Sequence, residues 1–202
     1  MWHSWPCWIT LPLKQEQRLE IWSFLDAVWE TAPMQFCHEY CHAKDPSKVP
    51  SDRRGFLKLL HNVWFEMYRR ERGGRTDSSG FEHVFVGEEK NGDVSGFHNW
   101  IQFYLKEQKG TLASRQLGSH GRWQRISFDA AVLVERRREV YRYELSPEFE
   151  MVLYTMCFLV GEQENQVELN TGTDTFGLTV KCYKMAGDKV GTSFPEVTAH
   201  YD

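Results

Sequence analysis

Two histidines, His83 and His98, could act together in general acid–base catalysis. Residues 81–88 alternate like a β-strand, and Asn91-Gly92 is a strong signal for a two-residue turn, so a hairpin would bring the imidazoles together. Such a pair can cleave RNA without a metal nucleophile, because one imidazole takes the 2′-hydroxyl proton and the other protonates the leaving 5′-oxygen. Imidazole suits both steps because its pKa lies near neutrality, and a third, cationic group would stabilise the phosphorane charge.

Spacing alone does not establish this chemistry, because the chain has eight histidines and a single histidine is more often structural or on the surface. A second candidate is a metal site in residues 37–42, Cys-His-Glu-Tyr-Cys-His. On a helix, Cys37 and Cys41 share one face and His38 and His42 share another, so two ligands point each way, whereas tetrahedral zinc takes four. We favour the alternative of buried cysteines and surface histidines.

The composition is typical of a soluble globular protein with room for one large domain or two small lobes. Of the 202 residues, 41% are hydrophobic and 26% are charged. No apolar run reaches about 18 residues, so no membrane-spanning helix is predicted. The net charge of −4 means that contacts with nucleic acid must be local. Five scattered cysteines do not indicate a disulfide framework, and the tryptophan-rich residues 1–14 fit a signal peptide poorly.

The hydrophobic pattern predicts helices in the first half of the chain and strands alternating with helices afterwards, which indicates an α+β fold. Helices are predicted over residues 16–30, 34–43, 51–70 and 98–108, and another begins with Ser146 as N-cap and Pro147 at its first position. Strands are predicted over residues 81–88, 166–169, 176–183 and 190–197, with Pro195 ending or edging the last one.

Several longer segments resemble the signature of the EndoU family of ribonucleases. The two strongest are residues 80–88, Gly-Phe-Glu-His-Val-Phe-Val-Gly-Glu, and residues 95–101, Ser-Gly-Phe-His-Asn-Trp-Ile. The others are Ser-Pro-Glu-Phe-Glu at 146–150, Tyr-Thr-Met-Cys-Phe at 154–158, Thr-Ala-Pro-Met-Gln at 31–35, Trp-Phe-Glu-Met-Tyr-Arg-Arg at 64–70 and Gly-Thr-Ser-Phe-Pro at 191–195. The likeness runs from about residue 15 to residue 202 with one gap, at 111–145.

The resemblance implies two α+β lobes around a cleft and cleavage of single-stranded RNA at uridylates, with 2′,3′-cyclic phosphate products and a divalent cation, most often Mn²⁺. By the motifs, His98 would be the general base and His83 the general acid. The resemblance assigns supporting acids and base-contacting residues as follows: Glu82 and Glu88 support activity, Thr192 helps to select uracil, and Phe194 stacks on the base.

The chain departs from the family pattern at two site positions. Phe194 stands where the family usually has Tyr, so the stacking face is kept and the hydroxyl is lost. The family's catalytic Lys is missing, and counting back from Ser146 places Arg136 there, although Arg is not interchangeable with Lys.

Residues 132–140 can be back-translated so that a frame shifted by one nucleotide encodes Phe-Trp-Trp-Asn-Gly-Val-Glu-Lys, the family strand. We therefore hypothesise a local frame difference, which the nucleotide sequence would test.

Three hypotheses about function follow. The first is a uridylate-specific endoribonuclease, expected to be monomeric, without membrane association, with residues 15–202 as one EndoU-like domain after an atypical segment 1–14. The second is a catalytically impaired RNA-binding member of the same fold, and the third is an unstable partial product, since family members usually have further helices before the matched region. The compartment stays open, although animal relatives are often secreted.

Several basic residues are interpreted first as surface or frame features and second as phosphate contacts: Arg136, Arg137, Arg138, Lys181, Lys184 and Lys189.

Overall fold

The computed structural model describes residues 15–90, 93–96, 98–99, 146–170 and 175–201. Helices α1 Gln15–Trp29, α2 Ala32–Lys44 and α3 Arg53–Trp64 come first, followed by a π-helical segment Glu82–Val86 and a hairpin of β1 Glu88–Lys90 and β2 Asp93–Ser95. Helix α4 Pro147–Val160 then precedes an antiparallel sheet of β3 Glu164–Asn170, β4 Thr175–Met185 and β5 Lys189–Tyr201. The predicted α+β class is confirmed.

Local capping signals set the starts of two helices. The Asp52 carboxylate accepts a hydrogen bond from the Gly55 backbone N–H at 2.9 Å at the start of α3. The Ser146 hydroxyl accepts from the Phe149 N–H at 3.3 Å at the start of α4, with a proline in the first turn. These contacts satisfy backbone donors that a helix leaves without partners, and the Ser146 cap predicted from the sequence is confirmed.

Helix α3 ends at Trp64, so the predicted continuation to about residue 70 is wrong. Tyr68 pairs instead with Ser78 in an isolated β-bridge, and its backbone N–H donates to the Ser78 carbonyl at 2.8 Å. The Tyr68 hydroxyl also donates to the carbonyl of Val190 at 2.7 Å. These tertiary hydrogen bonds divert the chain from the helix that the periodicity predicts.

The prediction of a strand over residues 81–88 is also largely wrong. It is π-helical over Glu82–Val86, and only Glu88 belongs to a strand. Val84 and Phe85 are both buried, which a half-exposed strand does not allow for neighbouring residues. The Gly87 N–H donates to the Glu82 carbonyl at 2.8 Å, and a positive φ of 82° at Gly87 turns the chain into β1. Short π-helical segments occur often at functional sites.

Among the described residues the sheet has three strands in the order β3-β4-β5, so β5 is an edge strand of that part of the structure. Pro195 stands opposite Val180 in β5, and an edge strand tolerates the missing N–H of proline. Of the two predicted placements, Pro195 does not end the strand, which continues to Tyr201, and it lies on the edge of the described sheet. None of the described helices is long and apolar enough to cross a membrane.

One hydrophobic core joins the two halves of the described chain. It includes Leu25 and Trp64 from the helices of the first half and Val180 from the sheet. The Trp64 indole donates to the Thr155 hydroxyl of α4 at 2.9 Å. This core fixes the π-helical segment against β5, and the candidate site lies at that junction. The two lobes implied by the resemblance stay a prediction.

Candidate active site

The π-helical segment presents His83, whose side chain is largely buried. Its Nδ1 lies 3.1 Å from Oε2 of Glu88, at the start of β1. The His83 backbone N–H donates to the Ser79 carbonyl at 3.1 Å, and the Ser79 hydroxyl accepts from the Glu82 N–H at 3.2 Å. Both the backbone and the ring of His83 are therefore fixed by residues within five positions of it in the sequence.

Glu88 is the acceptor that orients this ring. The Ser78 hydroxyl donates to its Oε1, and Nε of Arg70 lies 3.1 Å from its Oε2. Burial alone would raise the pKa of Glu88, but the hydrogen bonds from His83 and Ser78 and the charge of Arg70 outweigh burial and lower it to about 2. Glu88 is therefore ionised at neutral pH and accepts Nδ1–H of His83, which leaves Nε2 as the nitrogen that can exchange a proton with a substrate.

His98 lies across from His83, as the hairpin prediction required. The ring centroids are 5.8 Å apart with an interplanar angle of 65°. The His98 backbone N–H donates to the carbonyl of Val84 at 2.9 Å, and Nε2 lies 3.1 Å from the Thr192 hydroxyl. Two imidazoles, one held by a carboxylate, thus face the same space.

Gly96 makes this approach possible. Its φ is +71°, a conformation that L side chains rarely adopt, and a Cβ added there would lie 2.1 Å from the His83 carbonyl oxygen. The hairpin therefore returns against the π-helical segment at a distance that only glycine permits.

Glu82 lies beside this network, and its carboxyl is neutral where that of Glu88 is ionised. Its Oε2 is buried and has no hydrogen-bond partner among the described residues. Burial, followed by the negative charges of Glu88 and Asp77, raises the pKa of Glu82 to about 8. One acid is therefore protonated at neutral pH while its neighbour Glu88 is ionised, a separation typical of sites that handle protons.

Glu82 should make the protein less stable as the pH rises. The unfolded carboxyl ionises near pH 4.5 and the folded one near 8, so the unfolded state binds fewer protons in this window. The contribution of Glu82 to the free energy of unfolding is fully present below pH 4.5 and falls by about 1.4 kcal/mol per pH unit up to about pH 8. Glu82→Gln is expected to flatten the decline in urea-unfolding free energy between pH 5 and 8. The exposed control Glu66→Gln should follow the wild type, and an unchanged slope in Glu82→Gln would contradict the assignment.

Arg70 is a site residue that sequence reasoning missed. Its guanidinium donates to the Ser78 hydroxyl at 2.6 Å, to the Tyr68 hydroxyl at 2.8 Å and to the Gly191 carbonyl at 2.8 Å, besides its ion pair with Glu88. It therefore ties β5 to the carboxylate that orients His83. The matching motif at residues 64–70 was the available signal, but its spacing gave Arg70 no role.

Replacing Arg70 with Met should remove the permanent positive charge that pairs with the buried carboxylate of Glu88, at a cost of about 3–5 kcal/mol in unfolding free energy. The matched control is Arg69→Met, because the Arg69 guanidinium makes an exposed hydrogen bond to Thr76. That control should change stability by less than about 0.5 kcal/mol. Urea unfolding at pH 7 measures both variants, and equal effects would show that the Arg70 contacts contribute nothing special.

Strand β5 contributes the two predicted base-contacting residues. Thr192 contacts His98 as described, and the ring of Phe194 lies 5.1 Å from the His98 ring at 31°. Tyr183 of β4 stands opposite Thr192 in the register, and its ring lies 6.5 Å from that of Phe194. The structure thus brings together His83, His98, Glu88, Thr192 and Phe194.

Arg136, with Arg137 and Arg138, lies outside the described residues. The three lysines make ordinary surface contacts: Lys181 pairs with Glu196 at 2.9 Å, Lys184 lies 5.3 Å from the Phe158 ring, and Lys189 pairs with Asp188 at 3.1 Å.

The histidines and cysteines of α2 have structural contacts. Cys37 and Cys41 are buried in the core. His38 lies 2.8 Å from the Pro50 carbonyl, and His42 lies 2.7 Å from the Val49 carbonyl. Within the described ranges, no group of three or more His, Cys, Asp or Glu side chains is arranged to hold a metal ion.

Comparison with known proteins gives a consistent result. The family described as Endoribonuclease XendoU matches residues 12–195. Uridylate-specific endoribonuclease B of Danio rerio is 35% identical over 190 residues, covering 89% of this chain and 65% of the relative. Poly(U)-specific endoribonuclease-A of Xenopus laevis is 35% identical over 182 residues, covering 86% and 61%. The chain thus spans less than two thirds of the length of these curated relatives.

A solved structure also matches. It is that of XendoU, described as a splicing independent snoRNA processing endoribonuclease, with a TM-score of 0.64 and 28% sequence identity. The match covers 93% of this chain and 71% of the other. The described α+β arrangement is therefore shared with that endoribonuclease.

Proposed function

Because this chain belongs to the XendoU endoribonuclease family, we propose that it cleaves single-stranded RNA at uridylates and leaves 2′,3′-cyclic phosphate ends. The observation that carries the proposal is the pair of imidazoles with ring centroids 5.8 Å apart, one of them held by an ionised carboxylate. The relatives' names, uridylate-specific and poly(U)-specific endoribonuclease, support the base preference.

His98 acts as the general base in this proposal. Its Nε2 lies 3.1 Å from the Thr192 hydroxyl in the free protein. In the proposed complex the 2′-hydroxyl of the uridylate takes that place on Nε2, and the Thr192 hydroxyl turns to the uracil. His98 then removes the 2′-proton while the 2′-oxygen attacks phosphorus.

His83 acts as the general acid. Glu88 accepts its Nδ1–H and so directs Nε2–H to the leaving group. As the bond between phosphorus and the 5′-oxygen breaks, Nε2–H protonates that oxygen. The products are a cyclic phosphate on the uridylate and a free 5′-hydroxyl on the next nucleotide. A third cation would stabilise the phosphorane, and we assign that role to Arg136 from its position before Ser146.

Phe194 supplies a stacking face for the uracil. Phe194→Ala is expected to raise KM for a single-uridine RNA by about 5- to 150-fold, which corresponds to the 1–3 kcal/mol that base stacking contributes. Phe194→Tyr keeps the ring and should stay near the wild type. Phe36→Ala, which removes an exposed ring of α2, is the control and should leave KM unchanged. A KM unchanged in Phe194→Ala would remove this residue from the base site.

The proposal is tested by incubating the purified chain with a short RNA that contains a single uridine, and with the same RNA carrying cytidine there. The expected result is cleavage 3′ of the uridine with a cyclic phosphate end and little cleavage of the cytidine RNA. Adding Mn²⁺ or a chelator tests the predicted dependence on a divalent cation. If the folded chain binds the uridine RNA without cutting it under any of these conditions, the chain is the impaired RNA-binding member instead.

A further inference from the structure

A buried polar pair includes the residue next to His98 in the chain and has no place in the proposed chemistry. Asn99 follows His98 in the chain, and its side-chain amide donates to Oε2 of Glu150 at 2.8 Å. Both side chains are only 4% exposed. Glu150 belongs to the first turn of α4, so this contact joins the His98 segment to a helix far away in the sequence.

The pair matters because neither His98 nor Asn99 belongs to a helix or strand. The position of His98 therefore depends on individual contacts. On one side, its backbone N–H donates to the Val84 carbonyl of the π-helical segment, which also carries His83. On the other side, the Asn99 amide reaches α4. The His98 backbone is thus fixed between the element that carries its catalytic partner and a core helix.

Burying the carboxyl of Glu150 at this position costs free energy. Burial raises the pKa of Glu150 to about 8, although the hydrogen bond from Asn99 lowers it. An apolar side chain would avoid this cost of burial but would leave the Asn99 amide without this acceptor. The carboxyl therefore provides a directional contact at this point, and glutamine has the same shape as the neutral carboxyl.

We propose that Asn99 and Glu150 form a positioning pair that sets the place of His98 relative to His83, and so determines the rate of RNA cleavage rather than the affinity for RNA. This inference rests on the proposed function. A displacement of about 1 Å in a reacting group can cost about 100-fold in rate, so a hydrogen bond outside the chemistry can have a large kinetic effect.

The test compares Asn99→Ala, Glu150→Gln and the double variant Asn99→Ala/Glu150→Ala on the single-uridine RNA. Asn99→Ala is expected to lower kcat about 10- to 100-fold with less than threefold change in KM. Glu150→Gln keeps an acceptor and should remain within threefold of the wild type. The double variant should lose no more than Asn99→Ala, because the two residues act as a unit.

Asn165→Ala is the matched structural control. Asn165 makes hydrogen bonds to Glu162 and Val180 at the turn between α4 and β3. This variant should lose stability in urea but keep the kcat of the folded fraction. An Asn99→Ala protein that is folded and keeps kcat within threefold overturns the proposal. A Glu150→Gln variant that falls as far as Asn99→Ala also overturns it.

An NMR measurement keeps this inference separate from the proposed function. The imidazole resonances of His98 should shift or broaden in Asn99→Ala and stay unchanged in Asn165→Ala. If the wild-type chain cuts no RNA, the proposed function fails, and this spectrum still reports whether the pair fixes His98. Unchanged His98 resonances in folded Asn99→Ala overturn the positioning role.

Discussion

His83→Ala and His98→Ala are each expected to lower the rate of cleavage at uridine by about 10²- to 10⁴-fold, the range that one positioned proton donor or acceptor contributes. Both side chains contribute to one step, so the double variant should be little worse than either single variant. His61→Ala is the control, because His61 stacks on Trp22 of α1 at 5.1 Å and has no part in the proposed chemistry. It should retain wild-type kcat.

The two roles can be told apart with a modified RNA that carries sulfur in place of the leaving 5′-oxygen. A thiolate leaves without protonation, so this substrate needs a base and no acid. His83→Ala should then recover most of the wild-type rate, and His98→Ala should not. Recovery in both variants or in neither would reject the assignment of Glu88-bound His83 as the acid.

Gly96→Ala should abolish most activity and also destabilise the fold. The left-handed conformation at φ +71° costs a non-glycine residue about 1–3 kcal/mol. The added methyl group would also lie 2.1 Å from the His83 carbonyl oxygen, so the hairpin or the π-helical segment must move. That movement separates His83 from His98 and should lower kcat by at least about 100-fold.

Gly187→Ala separates the backbone cost from the displacement of His83. Gly187 has φ +86°, and a Cβ there would have nothing within 4 Å. It should lose a similar amount of stability to backbone strain and keep its kcat. If the two variants show the same kcat in their folded fractions, the close approach of Gly96 to His83 is irrelevant to catalysis.

The parts of the structure that the sequence predicted are those decided by neighbouring residues. Helix α4 begins where Ser146 can cap it, and α3 begins at the Asp52 cap. The sheet strands follow runs of alternating hydrophobic residues. The meeting of His83 and His98 was predicted because the Asn-Gly signal implied a tight hairpin, and β1 and β2 do pair antiparallel with Lys90 opposite Asp93.

The parts that the sequence did not predict depend on contacts with distant residues. Residues 81–88 alternate like a strand, yet the core takes both Val84 and Phe85, and a π-helical turn achieves this. The motif at residues 64–70 does not reveal the role of Arg70, because its guanidinium joins the nearby Glu88 to the Gly191 carbonyl, 121 positions away. The neutral carboxyl of Glu82 and the ionised carboxylate of Glu88 likewise result from burial and neighbouring groups, which a single sequence does not reveal.

The long-range ties between the helices and β5 also have a consequence for the order of events during protein synthesis. Tyr68 bonds to the Val190 carbonyl 122 positions later, and Trp64 bonds to Thr155 91 positions later. Contacts between residues so far apart in the sequence can form only after most of the chain has been made. Thr192 and Phe194 emerge from the ribosome long after the segment that bears His83. A nascent chain that carries both histidines but has not yet released β5 therefore lacks Thr192 and Phe194, the side chains that His98 contacts in the folded protein.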